Sequence, residues 1–405
     1  MTSFCFLFIW ILAQTYRFLK RRPVLVVIGT SVGFTLVILS FKWGFMCSNV
    51  QPQMYVKKIC MDHTNGNSVG NLCEELCQLR GITSISCQTF HMGKESVFSG
   101  HWRNNSMFFK LPKDPNRHTT LHWLDDTNKK IYPSEVDFSS MIVTNVKLRF
   151  NISVDTIDAK KMSYIHYAQK GALREVEMEN VWRLLQDNEY LALLLYAKFD
   201  IFPQLVGSCG ALYAVQKLHP ISRYSHLMSL YDSNGEWVKR IKLSVMILDF
   251  LKQLENELPE PLHICDVKID HFGVTRDFKK IQYLDLDSVH PLSIANQITG
   301  DGSPCKQHSD CDYFDCRSFC NLITYKCQHG VVNNNLQIVC EKIFLGWVMS
   351  GRVVIPGLLL SPRSPRVLLD LLELCANPDG ESGTPRAPAS KEVRDRLHKL
   401  LSHLT

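Results

Sequence analysis

The sequence predicts a two-lobed α+β fold with disulfide-rich additions, preceded by one transmembrane helix. The 405 residues give room for one large two-lobed domain with appendages. The uncharged apolar run from Val24 to Phe41 would be about 27 Å long as a helix, close to the roughly 30 Å of a bilayer core. Fourteen of the fifteen cysteines follow this run, and an even number at this density indicates disulfides formed in an oxidising compartment.

The charges beside the apolar run predict its orientation. Basic residues that include Arg21 and Arg22 precede it, whereas only Lys42 follows closely. This asymmetry predicts a signal anchor over 24–42, a cytosolic N-terminus and a lumenal remainder, the single-pass type II arrangement. The Arg21-Arg22 pair is either part of this topology signal or a signal for retrieval to the endoplasmic reticulum. Much of the net charge of +6 is local, so no nucleic-acid partner is expected.

Two acidic segments form the candidate catalytic centre. Asp266 leaves a predicted helix over 236–258 in the motif Cys265-Asp266-Val267-Lys268, and Asp285 and Asp287 follow a short apolar strand over 281–284. Phosphoryl transfer needs one acid to orient a hydroxyl nucleophile and another to hold a metal ion on the phosphates. Ordinary turn residues are the alternative for both acids.

A lysine and a glutamate are the second candidate pair. The segment 97–110 predicts two strands joined by an Asn104-Asn105 turn, with Lys110 at the end of the second strand. The segment 181–199 predicts one long helix with Glu189 on its apolar stripe. A carboxylate there is costly unless a cation neutralises it, and Lys110 is the expected partner. The alternative places Glu189 at the edge of the stripe, in water.

These motifs, together with Asn188-Glu189-Tyr190, Gly207-Ser208-Cys209-Gly210 and the segment 331–337, resemble the divergent protein kinase domain family, first subfamily. Its members are cysteine-rich type II membrane proteins of the endoplasmic reticulum with a lumenal kinase-like domain. The resemblance therefore implies a two-lobed protein-kinase-like fold. The expected divisions are a cytosolic tail (1–23), the anchor (24–42), a cysteine-rich cap (44–90), a small lobe (91–232), a large lobe (233–350) with a cysteine-rich insertion (305–327), and a proline-rich linker with C-terminal helices (351–405). The large lobe is expected to end in one helix over 334–347. The last helix is amphipathic, with Val393, Leu397 and Leu401 on its apolar face, and is expected to pack on its own domain rather than on a membrane.

The resemblance also implies roles for individual residues. These are Asp266 as catalytic base, Lys268 as a contact to the transferred phosphoryl group, Lys110 and Glu189 as the nucleotide-binding pair, and Asp285, Asp287 and His271 as candidate metal ligands. ATP with Mg²⁺ or Mn²⁺ is the cofactor that these roles imply. The substrate would be a lumenal protein or glycan.

Three departures from the kinase pattern leave two main interpretations open. His271 stands where kinases have a metal-binding asparagine, the glycine-rich phosphate motif is missing, and the cysteine-rich run replaces the activation segment. The chain is accordingly either a kinase or a pseudokinase that serves as a lumenal binding or regulatory module. A purely structural adhesion domain is a third interpretation, which leaves the Lys110–Glu189 pair unexplained.

Metal sites outside the cleft are not expected. The small lobe contains an insertion, at about residues 150–180, that resembles a degenerate EF-hand. Gly171 matches the turn glycine of that motif, and Glu177 matches its terminal ligand. An EF-hand binds calcium through oxygen ligands at the first, third and fifth positions of its loop. These positions are occupied here by His166, Ala168 and Lys170, so no calcium is expected. The cysteines of 305–327 lack a paired zinc spacing, and disulfides are favoured over zinc.

Two further expectations concern disulfides and glycans. A pairing of Cys209 with Cys265 across the cleft is one possible disulfide. Asn104 and Asn151 lie in glycosylation motifs. The expected location is the endoplasmic reticulum membrane, with the Golgi as the alternative.

Overall fold

The computed structural model describes residues 29, 31–37, 50–77, 81–87, 94–103, 105–112, 121–164, 170–224, 233–349 and 352–404. Among these residues, no helix is both long and apolar enough to cross a bilayer. The predicted fold class included a preceding transmembrane helix, and this part of the prediction is wrong. Of the predicted span, only Gly29 and the helical residues 31–37 are among the described residues. Arg21 and Arg22 lie outside the described residues.

A disulfide-linked cap begins the α+β fold. Helix α1 (Val50–Thr64) is joined to the short helix α2 (Cys73–Cys77) by the Cys60–Cys77 disulfide. Cys73 bonds to Cys209 and thereby ties the cap to the small lobe. The predicted pairing of Cys209 with Cys265 is therefore wrong, because Cys209 bonds to Cys73 of the cap and Cys265 bonds to Cys316 of the large lobe.

The small lobe contains a five-stranded antiparallel sheet. Its order is β1-β2-β3-β7-β6, formed by Ile82–Cys87 (β1), Lys94–Trp102 (β2), Asn105–Pro112 (β3), Leu205–Cys209 (β6) and Leu212–Gln216 (β7). The predicted hairpin that carries Lys110 is confirmed, although its strands are longer than expected. The turn is shifted back by one residue, since Asn105 already belongs to β3 and Arg103 has a positive φ of 46°.

Between β3 and β6, the described residues form four α-helices and a minor hairpin. They are β4 (Trp123–Leu124), β5 (Lys130–Ile131), α3 (Glu135–Phe150), α4 (Thr156–Met162), α5 (Ala172–Leu185) and α6 (Asn188–Leu195). The single helix predicted over 181–199 is wrong. It is divided at Asp187, whose side chain accepts the Tyr190 amide at 2.8 Å and caps a new helix N-terminus.

The degenerate EF-hand segment is only partly described. Gly171 has a positive φ of 60° and precedes α5, whereas His166 and Ala168 lie outside the described residues. Glu177, the expected terminal ligand position, is buried and paired with Arg174 at 2.7 Å. Its carboxylate is therefore engaged in an ion pair within α5.

The large lobe is mainly helical, with short antiparallel strand pairs that carry the loops of the cleft. Its elements are β8 (His219–Pro220), α7 (Asn234–Asn256), β9 (Leu262–Ile264), β10 (Phe272–Val274), β11 (Ile281–Tyr283), β12 (Val289–Pro291), α8 (Leu292–Ile298), β13 (Cys320–Asn321), β14 (Lys326–Cys327), α9 (Asn335–Val339), β15 (Gly346–Met349), β16 (Arg352–Pro356), α10 (Arg366–Ala376) and α11 (Lys391–Leu404). The single helix predicted over 334–347 is wrong. Helix α9 continues as one π-helical stretch, Cys340–Leu345, and Gly346 then begins a strand.

The C-terminal helix α11 packs against the large lobe, as predicted. Its Val393, Leu397 and Leu401 are buried, and His398 lies 3.0 Å from Asp249 on α7. The Cys340–Cys375 disulfide joins the preceding helix α10 to the same lobe. The C-terminal segment is thus part of the domain's own core.

Candidate functional site

The pairing of β9 with β12 brings the two acidic segments together. Ile264 pairs with Val289, and the Cys265 amide donates to the Ser288 carbonyl at 2.9 Å. Asp266 lies two residues after the end of β9, and Asp285 lies four residues before the start of β12. Because the two strands are antiparallel, both carboxylates lie at the same end of the pair.

Asp266 is held by contacts on both sides of its loop. The Lys268 ammonium lies 2.7 Å from its carboxylate, and the Tyr283 hydroxyl donates to its backbone carbonyl at 2.6 Å. Lys268 is more than half exposed, so this ion pair is in contact with solvent. Asp266 is thereby fixed in backbone position while its carboxylate stays accessible.

Asp285 and His271 form the centre of a possible metal site. His271 Nε2 lies 3.3 Å from Asp285 Oδ2, and Asp266, His271 and Asp285 each offer one ligand atom within 4.8 Å of the others. Burial raises the pKa of Asp285, but His271, Lys110 and Lys94 together bring it below its ordinary value. A ligand set that contains an imidazole suits Mn²⁺ better than Mg²⁺, which prefers ligands that are all oxygen.

The predicted Lys110–Glu189 ion pair is confirmed. Lys110 on β3 bonds to the Glu189 carboxylate on α6, and its ammonium donates to the Leu284 carbonyl at 3.0 Å. Glu189 is only 2% exposed, which rules out the alternative of a solvated carboxylate. Lys110 therefore links the sheet, α6 and the segment that carries Asp285.

A second buried lysine, Lys94, was missed by sequence reasoning. It begins β2, is 5% exposed, and bonds to both Asp187 and Asp287, at 2.9 Å in the case of Asp187. Glu189 Oε2 lies 3.3 Å from the same ammonium. Burial lowers the pKa of Lys94, but the three carboxylates raise it well above its ordinary value, so the side chain is a cation.

The role of Asp187 was also missed, because the residue fell inside a helix that was predicted to be continuous. Its carboxylate caps α6, bonds to Lys94 and accepts the Tyr213 hydroxyl at 3.2 Å. In sequence, the Asp187-Asn188 pair is a recognisable helix-start signal that would have revealed the break. Lys94 offered no such signal, because a lysine at the start of a strand usually points into solvent.

The described side chains give this part of the cleft a negative charge. Two lysines face four carboxylates: Lys94, Lys110, Asp187, Glu189, Asp285 and Asp287. Burial raises the pKa of Asp287, and the positive charge of Lys94 partly opposes this rise. Arg149 also acts on Asp187 through its charge, and the one negative charge that remains favours binding of an additional cation.

The cysteine-rich segment supports the loop that carries Asp266. Cys265 bonds to Cys316, and the neighbouring Asp315 accepts the Val267 amide at 2.8 Å while its own amide donates to the Cys265 carbonyl at 2.7 Å. Asn335 accepts the Ile264 amide at 2.8 Å. The cysteine-rich segment and Asn335 of the segment 331–337 therefore hold the base of the candidate catalytic loop.

One of the two predicted glycosylation sites, Asn151, is among the described residues. Asn151 follows α3 in a left-handed conformation, is exposed, and donates to Ser293 Oγ at 3.1 Å. Attachment of a glycan would require its amide to leave this contact. Asn104 lies outside the described residues.

Two family models match the chain. Residues 181–378 match the protein-kinase domain of FAM69, and residues 16–163 match the N-terminal cysteine-rich endoplasmic reticulum region of FAM69. The chain belongs to the FAM69 family. The predicted membership of a divergent kinase-domain family with a cysteine-rich N-terminal part is thereby confirmed, and the second match associates this FAM69 chain with the endoplasmic reticulum.

Proposed function

We propose that this FAM69 chain is a metal-dependent phosphotransferase that works in the lumen of the endoplasmic reticulum. The observation that carries the proposal is the convergence of the Lys110–Glu189 pair with Asp266 and Asp285 in one cleft. All cysteines of the described residues are disulfide-bonded, which agrees with an oxidising lumen. ATP is the proposed phosphoryl donor, and a hydroxyl of a lumenal protein or glycan is the proposed acceptor.

The proposed chemistry uses each group in one role. Lys110, held by Glu189, binds donor phosphate oxygens, and Asp266 orients the acceptor hydroxyl. The hydroxyl oxygen forms a new bond to the γ-phosphorus, the bond from that phosphorus to the ADP oxygen breaks, and the hydroxyl proton passes to the Asp266 carboxylate. Lys268, beside Asp266, neutralises charge on the transferred group.

The charge of the cleft argues for a divalent cation in this reaction. A polyphosphate would be repelled by the uncompensated carboxylates near Lys94 and Lys110. Asp285 and His271 are the proposed ligands, and the ion would supply charge neutralisation at the phosphates. The imidazole favours Mn²⁺ over Mg²⁺.

A pseudokinase is the second candidate, and a specific observation favours it. Asp266 is paired with Lys268, and Asp287 with Lys94, so two of the polar groups in the cleft are already neutralised by the protein. With His271 in place of an asparagine, such a pocket would bind a nucleotide without transferring phosphate. The chain would then act as a regulatory module for a lumenal partner.

Phosphate transfer from γ-labelled ATP, measured with oxidised protein and a lumenal extract in Mn²⁺, separates the two candidates. The wild type is expected to transfer label, and Asp266→Asn is expected to retain nucleotide binding but lose transfer by at least about a hundredfold, as for loss of a general base. Asp270→Asn, an exposed acid of the same loop, serves as the matched control and should transfer normally. Nucleotide binding without transfer by the wild type would favour the pseudokinase.

A further inference from the structure

We propose that Lys94 is a built-in cation that takes the place of a second metal ion, so that the cleft binds a single divalent cation at Asp285 and His271. The proposal deepens the proposed function, because it defines how many metal ions the site uses and removes Asp287 from the metal ligands. It rests on the position of the Lys94 ammonium among three carboxylates.

The carboxylates around Lys94 form a cluster that by itself has the features of a cation site. Asp187, Glu189 and Asp287 each offer an oxygen atom within 4.8 Å of the others. The Lys94 ammonium contacts all three, at 2.9 Å for Asp187 and 3.3 Å for Glu189, and at hydrogen-bonding distance for Asp287. The cation that these acids require is therefore already part of the chain.

The contact with Glu189 is purely electrostatic. Glu189 Oε2 is buried and makes no hydrogen bond among the described residues, although it lies 3.3 Å from Lys94 Nζ. The other oxygen of the same carboxylate bonds to Lys110. Glu189 is thus shared between two lysines, and removal of Lys94 would leave one of its oxygens facing Asp187 and Asp287 without a cation.

The two acidic clusters differ in how firmly their lysine is held. The cluster of Asp266, His271 and Asp285 also contains Lys268, but that ammonium is more than half exposed and contacts Asp266. Lys94, in contrast, has a side chain only 3% exposed and is fixed at the start of β2. A mobile exposed lysine can yield to an incoming ion, whereas a buried lysine held by three carboxylates cannot leave without stranding them.

This position also explains how the Asp285 segment is held. Lys94 on β2 bonds to Asp287, and Lys110 on β3 donates to the Leu284 carbonyl. The two lysines therefore fix both ends of the segment 284–287 to the small-lobe sheet. Asp285 lies between them, directed toward His271.

Binding of Mn²⁺ alone, followed by electron paramagnetic resonance of the free ion, tests the proposal without nucleotide. The wild-type chain should bind one Mn²⁺, and Lys94→Met should bind two, because its three carboxylates are then open to an ion. Lys94→Met combined with Asp287→Asn should return to one. Lys280→Met, which removes a half-exposed lysine of the large lobe paired with Asp200, is the matched control and should remain at one.

Asp287→Asn alone keeps the proposal testable if Lys94→Met fails to fold. We expect its Mn²⁺ dissociation constant to stay within about twofold of wild type, whereas loss of a true ligand would weaken binding by at least about tenfold. A tenfold loss, two ions in the wild type, or no additional ion in folded Lys94→Met would each overturn the proposal.

Failure of the proposed function gives a different result. If the wild type binds no Mn²⁺ and Lys94→Met binds one, the metal-dependent transferase is refuted while the role of Lys94 stands. If neither binds an ion, the role of Lys94 is refuted as well.

Discussion

At the scale of single residues, the cleft is defined by charges that the interior can hold only as a set. Glu189 needs both Lys110 and Lys94, and Lys94 in turn needs Asp187 and Asp287. Burial of these groups costs free energy that only their mutual pairing offsets. Such a group of buried charges adds little stability compared with apolar packing, which is why a functional role is the better explanation for it.

The shared pairing predicts that Glu189→Ala is strongly destabilising. The substitution leaves Lys110 and Lys94 with fewer counter-charges in a buried place, and we expect the free energy of unfolding to fall by about 3–5 kcal/mol. Denaturant unfolding of the oxidised protein measures the change. Glu175→Ala, an exposed glutamate on α5, should change it by no more than about 0.5 kcal/mol. Equal effects of both substitutions would contradict the pairing.

A buried histidine pair predicts a loss of stability in mild acid. His263 and His290 pair across β9 and β12, and burial, with their mutual repulsion in the case of His263, lowers the pKa of each to about 4. The unfolded chain takes up these protons near pH 6.5 and the folded chain does not. Stability is therefore complete above about pH 6.5 and falls as the pH decreases toward 4, by up to about 1.4 kcal/mol per unit and per histidine.

Unfolding free energies measured between pH 7.5 and 4.5, a range set by the ordinary histidine pKa of about 6.5, check this prediction. His263→Gln should make the dependence shallower. His403→Gln, an exposed histidine of α11, should leave it unchanged. An equally steep dependence without His263 would assign the acid sensitivity to other groups.

At the scale of elements, the loop of Asp266 is held by a segment that follows it in sequence. The Cys265–Cys316 disulfide and the hydrogen bonds of Asp315 join the loop to the cysteine-rich segment. This segment stands where protein kinases have an activation segment, a replacement that the sequence already indicated. Covalent linkage therefore provides the order of the loop in this chain.

Removal of this disulfide should affect both stability and site geometry. The Cys265→Ser, Cys316→Ser double variant opens a link with a separation of 51 residues, which corresponds to about 4 kcal/mol of unfolding free energy. We also expect faster hydrogen exchange at residues 264–268 and weaker phosphate transfer. The Cys305→Ser, Cys320→Ser variant is the control, since it lowers stability but does not touch the loop. Unchanged exchange in the first variant would contradict a positioning role.

The elements that sequence patterns predicted well are those with local signals. The hairpin of Lys110 and the amphipathic helix α11 follow from alternation and helical spacing. The break at Asp187 was missed because apolar periodicity continues across it, and the side-chain cap decides the boundary. The partners of Lys94 come from residues 93 to 193 positions away in sequence, and no local pattern contains such information.

At the scale of the whole molecule, a disulfide-rich frame surrounds one cleft. Cys73–Cys209 joins the cap to the small lobe, and Cys340–Cys375 joins α10 to the large lobe. The cleft itself is formed by β2, β3 and α6 on one side and by the segments of Asp266 and Asp285 on the other. Disulfides brace each side separately, and Lys94 and Lys110 link the small-lobe sheet to the Asp285 segment, so a nucleotide and a metal ion should stabilise the whole domain together.

Thermal unfolding of the oxidised chain with ATP and either Mn²⁺ or Mg²⁺ tests this central claim most directly. ATP should stabilise the wild type only with a divalent cation, more with Mn²⁺ than with Mg²⁺, and by about 2.7 kcal/mol at a hundredfold excess over its dissociation constant. Asp285→Asn should abolish this stabilisation, whereas Asp277→Asn, an exposed aspartate of the same lobe, should retain it. No stabilisation of the wild type with either metal ion would contradict the account.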